Sequence, residues 1–164
     1  MKKLFFKLTV VVIAIITSVE VDAQKMGNVS LGGNLILGTT KDYSILGFGG
    51  RLLYNVTNPF RLAGELDYFT KKNYVDMFDL SIYGHYLYPA TEGFLIYPSV
   101  GLGFVGWRYT TDRLASNSHS NFALSLGGGA DYGLTSNLVL NGEFRIKFVS
   151  GSWCNFLMGL TYEF

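Results

Sequence analysis

The sequence is poor in cysteine, proline and charge. Cys154 is the only cysteine among 164 residues, so no disulfide can form within the chain. Three prolines leave long segments free of backbone interruption. Charged residues make up 15% and sum to a net charge of +1, which excludes both a basic nucleic-acid footprint and an acidic tail. No apolar run reaches the roughly 20 residues that a membrane-spanning helix needs. What remains abundant is glycine and aromatics: 20 Gly, 13 Phe and 11 Tyr, the composition of tightly packed strands.

The N-terminus has the layout of an export signal. Lys2, Lys3 and Lys7 precede an apolar stretch at 8–16, and Val21-Asp22-Ala23 supplies small residues for cleavage. We expect residues 1–23 to be a cleaved signal peptide rather than an anchor, and 24–164 to be one β-barrel domain. No cysteine lies near the cut, which argues against a lipoprotein anchor.

Beyond residue 44 a single alternation persists. Even positions such as Leu46, Phe48, Leu66, Tyr68, Leu80, Ile82, Leu102, Phe104, Leu124, Phe144 and Met158 are apolar. The charges Arg51, Arg61, Glu65, Asp67, Asp79, Asp131, Glu143, Arg145, Lys147 and Glu163 are all odd. The first strand uses odd apolar positions (Val29, Leu31, Leu35, Leu37), so the register flips once, between 38 and 44. The pattern predicts eight strands near 27–38, 44–56, 60–70, 76–88, 94–109, 121–134, 138–149 and 153–164. One face is apolar in every strand and carries aromatics at its ends. With the export signal, this points to an all-β fold, an eight-stranded antiparallel transmembrane β-barrel wound as an up-and-down meander. A strand in lipid cannot leave its backbone groups unpaired, so the barrel must close. Cys154 should face lipid near the outer rim.

Short turns at 57–59, 89–93 and 135–137 place both chain ends on the periplasmic side. The surface connections are 38–44, 71–75, 110–120 and 150–152, of which only 110–120 has reach. Counting outward from the 57–59 turn sets Arg51 opposite Glu65. The 135–137 turn sets Arg145 opposite Gly127, Glu143 opposite Gly129 and Asp131 opposite Asn141. Arg51, Glu65, Glu143 and Arg145 are therefore read as paired lumen charges, with an ion or proton path as the alternative. His85 is expected inside, opposite Tyr97, as a hydrogen-bonded filler. No second His or Cys neighbours it, and no metal or cofactor site and no catalytic residue is expected.

Three stretches carry a resemblance. Residues 97–104 (YPSVGLGF), 126–138 (LGGGADYGLTSNL) and 141–145 (NGEFR) resemble the small outer-membrane β-barrel domain family. That family includes the barrel of outer membrane protein A, outer membrane protein X and opacity-type surface proteins. The resemblance implies a bacterial outer-membrane location and a monomer among outer-membrane lipids and lipopolysaccharide. It also implies handling by the barrel-assembly machinery through a terminal signal that ends in Tyr162 and Phe164. The chain stops at Phe164, so no peptidoglycan-binding domain is expected to follow. The family hosts structural, adhesive and enzymatic members, so activity does not follow from the fold.

Ser118-His119-Ser120-Asn121 resembles the motif of outer-membrane lipid A deacylases only in composition. His119 adjoins both serines, and a strand would aim them to opposite faces. A lipocalin-like soluble binder would need the apolar face inside. The leading expectation is a non-enzymatic integral envelope protein with a structural or surface-presentation role. The second is adhesion through 110–120, with Arg113 and His119 as candidate contacts beside Tyr43 and Tyr74. A small-solute porin-like channel is third, because an eight-stranded lumen has room only for side chains.

Overall fold

The computed structural model describes residues 26–39, 44–72, 75–111, 115–149 and 151–164. The expected signal peptide, Tyr43, Tyr74 and Arg113 lie outside these residues. The described chain contains strands and no helix: β1 (Val29–Thr39), β2 (Ser44–Asn55), β3 (Phe60–Lys72), β4 (Val75–Tyr86), β5 (Tyr88–Thr91), β6 (Phe94–Thr111), β7 (Ala115–Gly133), β8 (Leu138–Val149) and β9 (Gly151–Glu163). β4 and β5 are one barrel strand interrupted at Leu87, so the wall has eight strands. Each pairs antiparallel with its neighbours in sequence, and β1 pairs with β9 to close the cylinder. Closure leaves no sheet edge around the wall, which is the condition for standing in lipid.

The registers fix the shape. From Val29, successive partners are Tyr54, Leu62, Gly84, Val100, Leu126, Ile146 and Cys154, and the last pairs with Thr39. One circuit therefore climbs ten residues along β1. Strands with a rise of about 3.3 Å per residue, about 4.8 Å apart, must then tilt by about 40° to the barrel axis. A direct consequence is that a row of cross-strand partners is a staircase, descending as it winds around the wall.

The alternation read from the sequence is the observed one. Ser30, Asn34 and Ile36 of β1 are buried while Leu31, Leu35 and Leu37 are exposed. From β2 onward the odd positions turn inward, because Thr39 pairs with Ser44 and so couples opposite parities. Tyr54, Phe60, Tyr86, Tyr132, Tyr162 and Phe164 lie exposed towards the end that carries the β2–β3, β5–β6 and β7–β8 turns, here the lower end. Tyr68, Phe78, Phe104, Phe122, Phe148 and Phe156 lie exposed towards the upper end. Leucine, isoleucine and valine fill the belt between these two aromatic rings.

Two expectations about connections are corrected. Residues 110–120 are not a loop: β6 runs to Thr111 and β7 starts at Ala115, paired down to Thr111–Ala115. Polar Ser and Asn read as loop residues, yet above the membrane a strand can be polar on both faces. His119 is accordingly a strand residue, paired with Trp107 and exposed. The second correction concerns His85, which pairs with Ser99 and not Tyr97. The chain reverses later than expected, at Glu92 and Gly93. Gly93 takes φ +73°, and an irregularity between Pro89 and Thr91 absorbs the difference.

Candidate functional site

The inward side chains stack in tiers, and the middle tier is an ion-pair square. Arg51 of β2, Glu65 of β3, and Glu143 and Arg145 of β8 meet on the barrel axis. Arg51 Nη2 donates to Glu65 Oε1 at 2.6 Å and to Glu143 Oε2 at 2.9 Å. Arg145 grips both carboxylates with paired donors. Its Nε and Nη2 reach Glu143 at 2.6 Å each, while Nη1 and Nη2 reach Glu65 at 2.5 and 2.9 Å. All four side chains are essentially removed from solvent. Two cations and two anions leave the square neutral, and bidentate arginine geometry offsets the desolvation that burial costs.

Neighbours hold the square in place. The ring of Tyr83 lies 3.7 Å beneath the Arg145 guanidinium, and Tyr97 Oη donates to Glu143 at 3.4 Å. Tyr83 itself lies flat over Gly101, where any side chain would collide with the ring. Gly127 likewise makes room for Arg145: a Cβ there would stand 2.9 Å from its Cγ. The pairings of Arg145 with Gly127, Glu143 with Gly129 and Asp131 with Asn141 are those counted from the turns.

Below the square, Arg61 reaches Asp131 at 2.7 Å across the lumen, and His85 stacks on Tyr97 with ring centroids 4.6 Å apart. Arg61 Nε donates to His85 Nδ1 at 3.3 Å, so the imidazole is a hydrogen-bonded filler in this tier. Above the square, Lys147 pairs with Asp79, which also accepts from Ser81. Higher still comes a tier that the sequence reading missed. Ile36, Ile45, Phe69, Met77, Val105, Ala123, Val149, Trp153 and Leu157 form one buried apolar cluster inside the barrel, with Trp107 packed on it. The signal was present in the inward parity of the upper strand ends, where Ile45, Phe69, Met77, Val105 and Trp153 replace the charges found lower down. The lumen is thus charged in its lower part, mostly in ion pairs, and apolar at the top.

The other candidate residues stand apart from this interior. Tyr162 and Phe164 lie on the exterior at the lower end, ring centroids 5.3 Å apart, and His119 is exposed beyond the upper apolar tier. Among the described residues, no group of three or more His, Cys, Asp and Glu could hold a metal ion. Cys154 is a half-buried free thiol on an even, outward position of β9.

Solved structures share this architecture. Ail, the attachment invasion locus protein of Yersinia pestis, superposes with a TM-score of 0.62 at 17% identity, covering 85% of this chain and 100% of that one. The N-terminal β-barrel domain of Pseudomonas aeruginosa OprF gives 0.62 at 17% identity, covering 86% and 100%. Neisserial surface protein A gives 0.66 at 14% identity, covering 84% and 96%. At such identities the likeness is one of fold. No curated protein matches the sequence. The family model described as outer membrane protein beta-barrel domain matches residues 8–164, nearly the whole chain. The chain therefore belongs to the outer membrane protein β-barrel family, with the eight-stranded barrel and outer-membrane setting that its exterior belt requires.

Proposed function

We propose that the protein is a non-enzymatic integral component of the bacterial outer membrane, serving envelope structure or presenting a surface, and not a conduit. One observation carries this reading: the lumen is occupied along its axis by the Arg51–Glu65–Arg145–Glu143 square and closed above by an apolar tier. An ion entering from below would have to displace a neutral, bidentate network and then cross an apolar layer. Planar-bilayer recordings of the refolded protein are expected to show no steady, salt-dependent conductance steps. Such steps, enlarged by Arg51→Ala or Glu143→Ala, would move the porin-like reading to first place.

A second reading is adhesion through the upper end. It is favoured by the β6–β7 ribbon, which continues to Thr111 and Ala115, whereas β8 pairs with β7 no higher than Leu124–Phe148. Ail, which shares the fold, is by name an attachment and invasion protein. Exposed His119, and Arg113 in the ribbon's connection, are the candidate contacts. In either reading we place the lower end and both chain ends in the periplasm. The protein is then a monomer among outer-membrane lipids and lipopolysaccharide, exported with cleavage after Ala23, and Tyr162 and Phe164 form the signal for the barrel-assembly machinery. Binding of surface-displayed protein to lipopolysaccharide and extracellular-matrix panels, with and without residues 110–120, separates presentation from adhesion.

A further inference from the structure

The exterior belt is not evenly covered. Two neighbouring rows of outward cross-strand partners descend from β1 through β9 and β8 to β7. The upper row begins on β2 and runs Leu46, Leu37, Phe156, Phe144 and Gly128. The lower row, two residues further down each strand, runs Leu35, Met158, Gly142 and Ala130. Between them lies an apolar groove of about 770 Å³. Its sides are tall in the middle, where Phe144 and Phe156 pack with ring centroids 4.9 Å apart. At the foot Gly128, Ala130 and Gly142 leave the backbone nearly bare, and a Cβ added to Gly142 would meet nothing within 4 Å.

The shape selects a thin occupant. The rows stand about 6.6 Å apart, two residues at about 3.3 Å each, which admits one hydrocarbon chain but not the convex wall of a second barrel. Four strand spacings of about 4.8 Å make the groove about 19 Å long, and the strand tilt makes it climb about 12 Å. One leaflet's share of a hydrocarbon core about 30 Å thick is about 15 Å. The groove therefore spans the depth of one leaflet, from Leu46 near the upper end of β2 down to the middle of the belt. Missing side chains at the foot let a chain end approach the backbone closely and gain dispersion contacts from several atoms at once.

We propose that this groove seats one acyl chain of an outer-leaflet lipopolysaccharide, which enters beside Leu46 and ends over Gly128 and Gly142. The inference rests on the orientation proposed above, because the open end of the groove meets the lipopolysaccharide leaflet only if the lower end is periplasmic. Gly64 on β3 is a matched control: it is also outward, and a Cβ there also meets nothing within 4 Å. The row from Gly64 through Ile82, Leu102 and Leu124 reaches Phe148 after half a circuit, a climb of about five residues. Gly142 thus stands within about one residue of Gly64 in height, on the opposite side of the barrel. Of the two, only Gly142 lines the groove.

The test uses the full barrel, deuterated except at its backbone amides, in nanodiscs holding equal amounts of phospholipid and lipopolysaccharide. With only the lipopolysaccharide protonated, magnetisation transfer from chain protons should be several-fold stronger at the Gly128 and Ala130 amides than at Gly64. Gly142→Leu, which fills the foot, should cut the transfer at Gly128 several-fold, and Gly64→Leu should leave it unchanged. If Gly142→Leu does not fold, Ala130→Leu blocks the same foot and should produce the same loss. Equal transfer at Gly128 and Gly64 would overturn the proposal, leaving ordinary boundary lipid. So would equal transfer at Gly128 when the phospholipid is protonated instead, or transfer that survives both foot-filling variants. Each of these results, in a barrel that folds and inserts, leaves the non-conducting envelope reading standing. A barrel that folds in plain buffer without lipid would overturn both.

Discussion

Arg145 shows how much of this interior hangs on single side chains. Its fork is shared between two carboxylates, its face is covered by Tyr83, and its backbone partner is a glycine. Removing Glu65 alone would leave Arg51 and Arg145 competing for Glu143. We expect Arg51→Leu and Glu65→Leu each to cost about 3–5 kcal/mol, as for a broken buried pair. The double variant keeps a neutral Arg145–Glu143 pair and should recover much of that loss. Urea titration of barrels folded into lipid vesicles reads all three, and simple additivity would mean that the two residues do not act as a unit. Glycines supply a second contrast. Gly101→Val should destabilise by about 1–3 kcal/mol by expelling the Tyr83 ring, a case of overpacking. Gly64→Ala, where a Cβ meets nothing within 4 Å, should be neutral or slightly stabilising in the same titration.

At the scale of a strand, β6 crosses three environments. Its lower residues face the mouth, Val100 and Leu102 face mid-belt lipid, and residues beyond Phe104 rise past the upper aromatic ring. The cost of a charge should follow that depth. Leu102→Arg is expected to cost about 2–4 kcal/mol, against about 0–1 for Leu134→Arg in the lower turn. Equal costs in vesicle unfolding would mean that the belt is misplaced. The same strand explains why hairpin counting misplaced His85. The β5–β6 turn cannot be counted from Pro89 alone, because Leu87 and the irregularity after Pro89 take up slack before Gly93 reverses the chain.

For the molecule as a whole, the exterior is apolar on every strand and the interior holds nearly all the charge of the wall. Such a barrel is inside-out relative to a soluble protein, and burial against lipid holds it as much as its own core does. It should leave membranes only with detergent, and unheated samples should migrate differently from boiled ones on denaturing gels. A folded, monodisperse species in plain buffer would contradict the assignment of the outer face. The arrangement also explains why no disulfide is needed: closure pairs the backbone all the way round, and the interior ion pairs tie non-adjacent strands across the lumen.

The alternation of side chains was enough to determine the number and facing of the strands, though not the upper reach of β6 and β7, and with them the register flip before Ser44, the closed barrel and the pairing of Arg51 with Glu65. Each of these follows from the period of two and from short turns that leave no slack. Sequence could name Arg51, Glu65, Glu143 and Arg145 as inward, yet hairpin counting connects only neighbouring strands. That Arg145 would grip Glu65, that Arg61 would find Asp131, and that Lys147 would find Asp79 depends on the stagger accumulated in one circuit of the wall, which sets which strands face each other across the lumen. The same holds for the apolar tier, whose members are scattered over the chain and are brought together only by closure with its tilt.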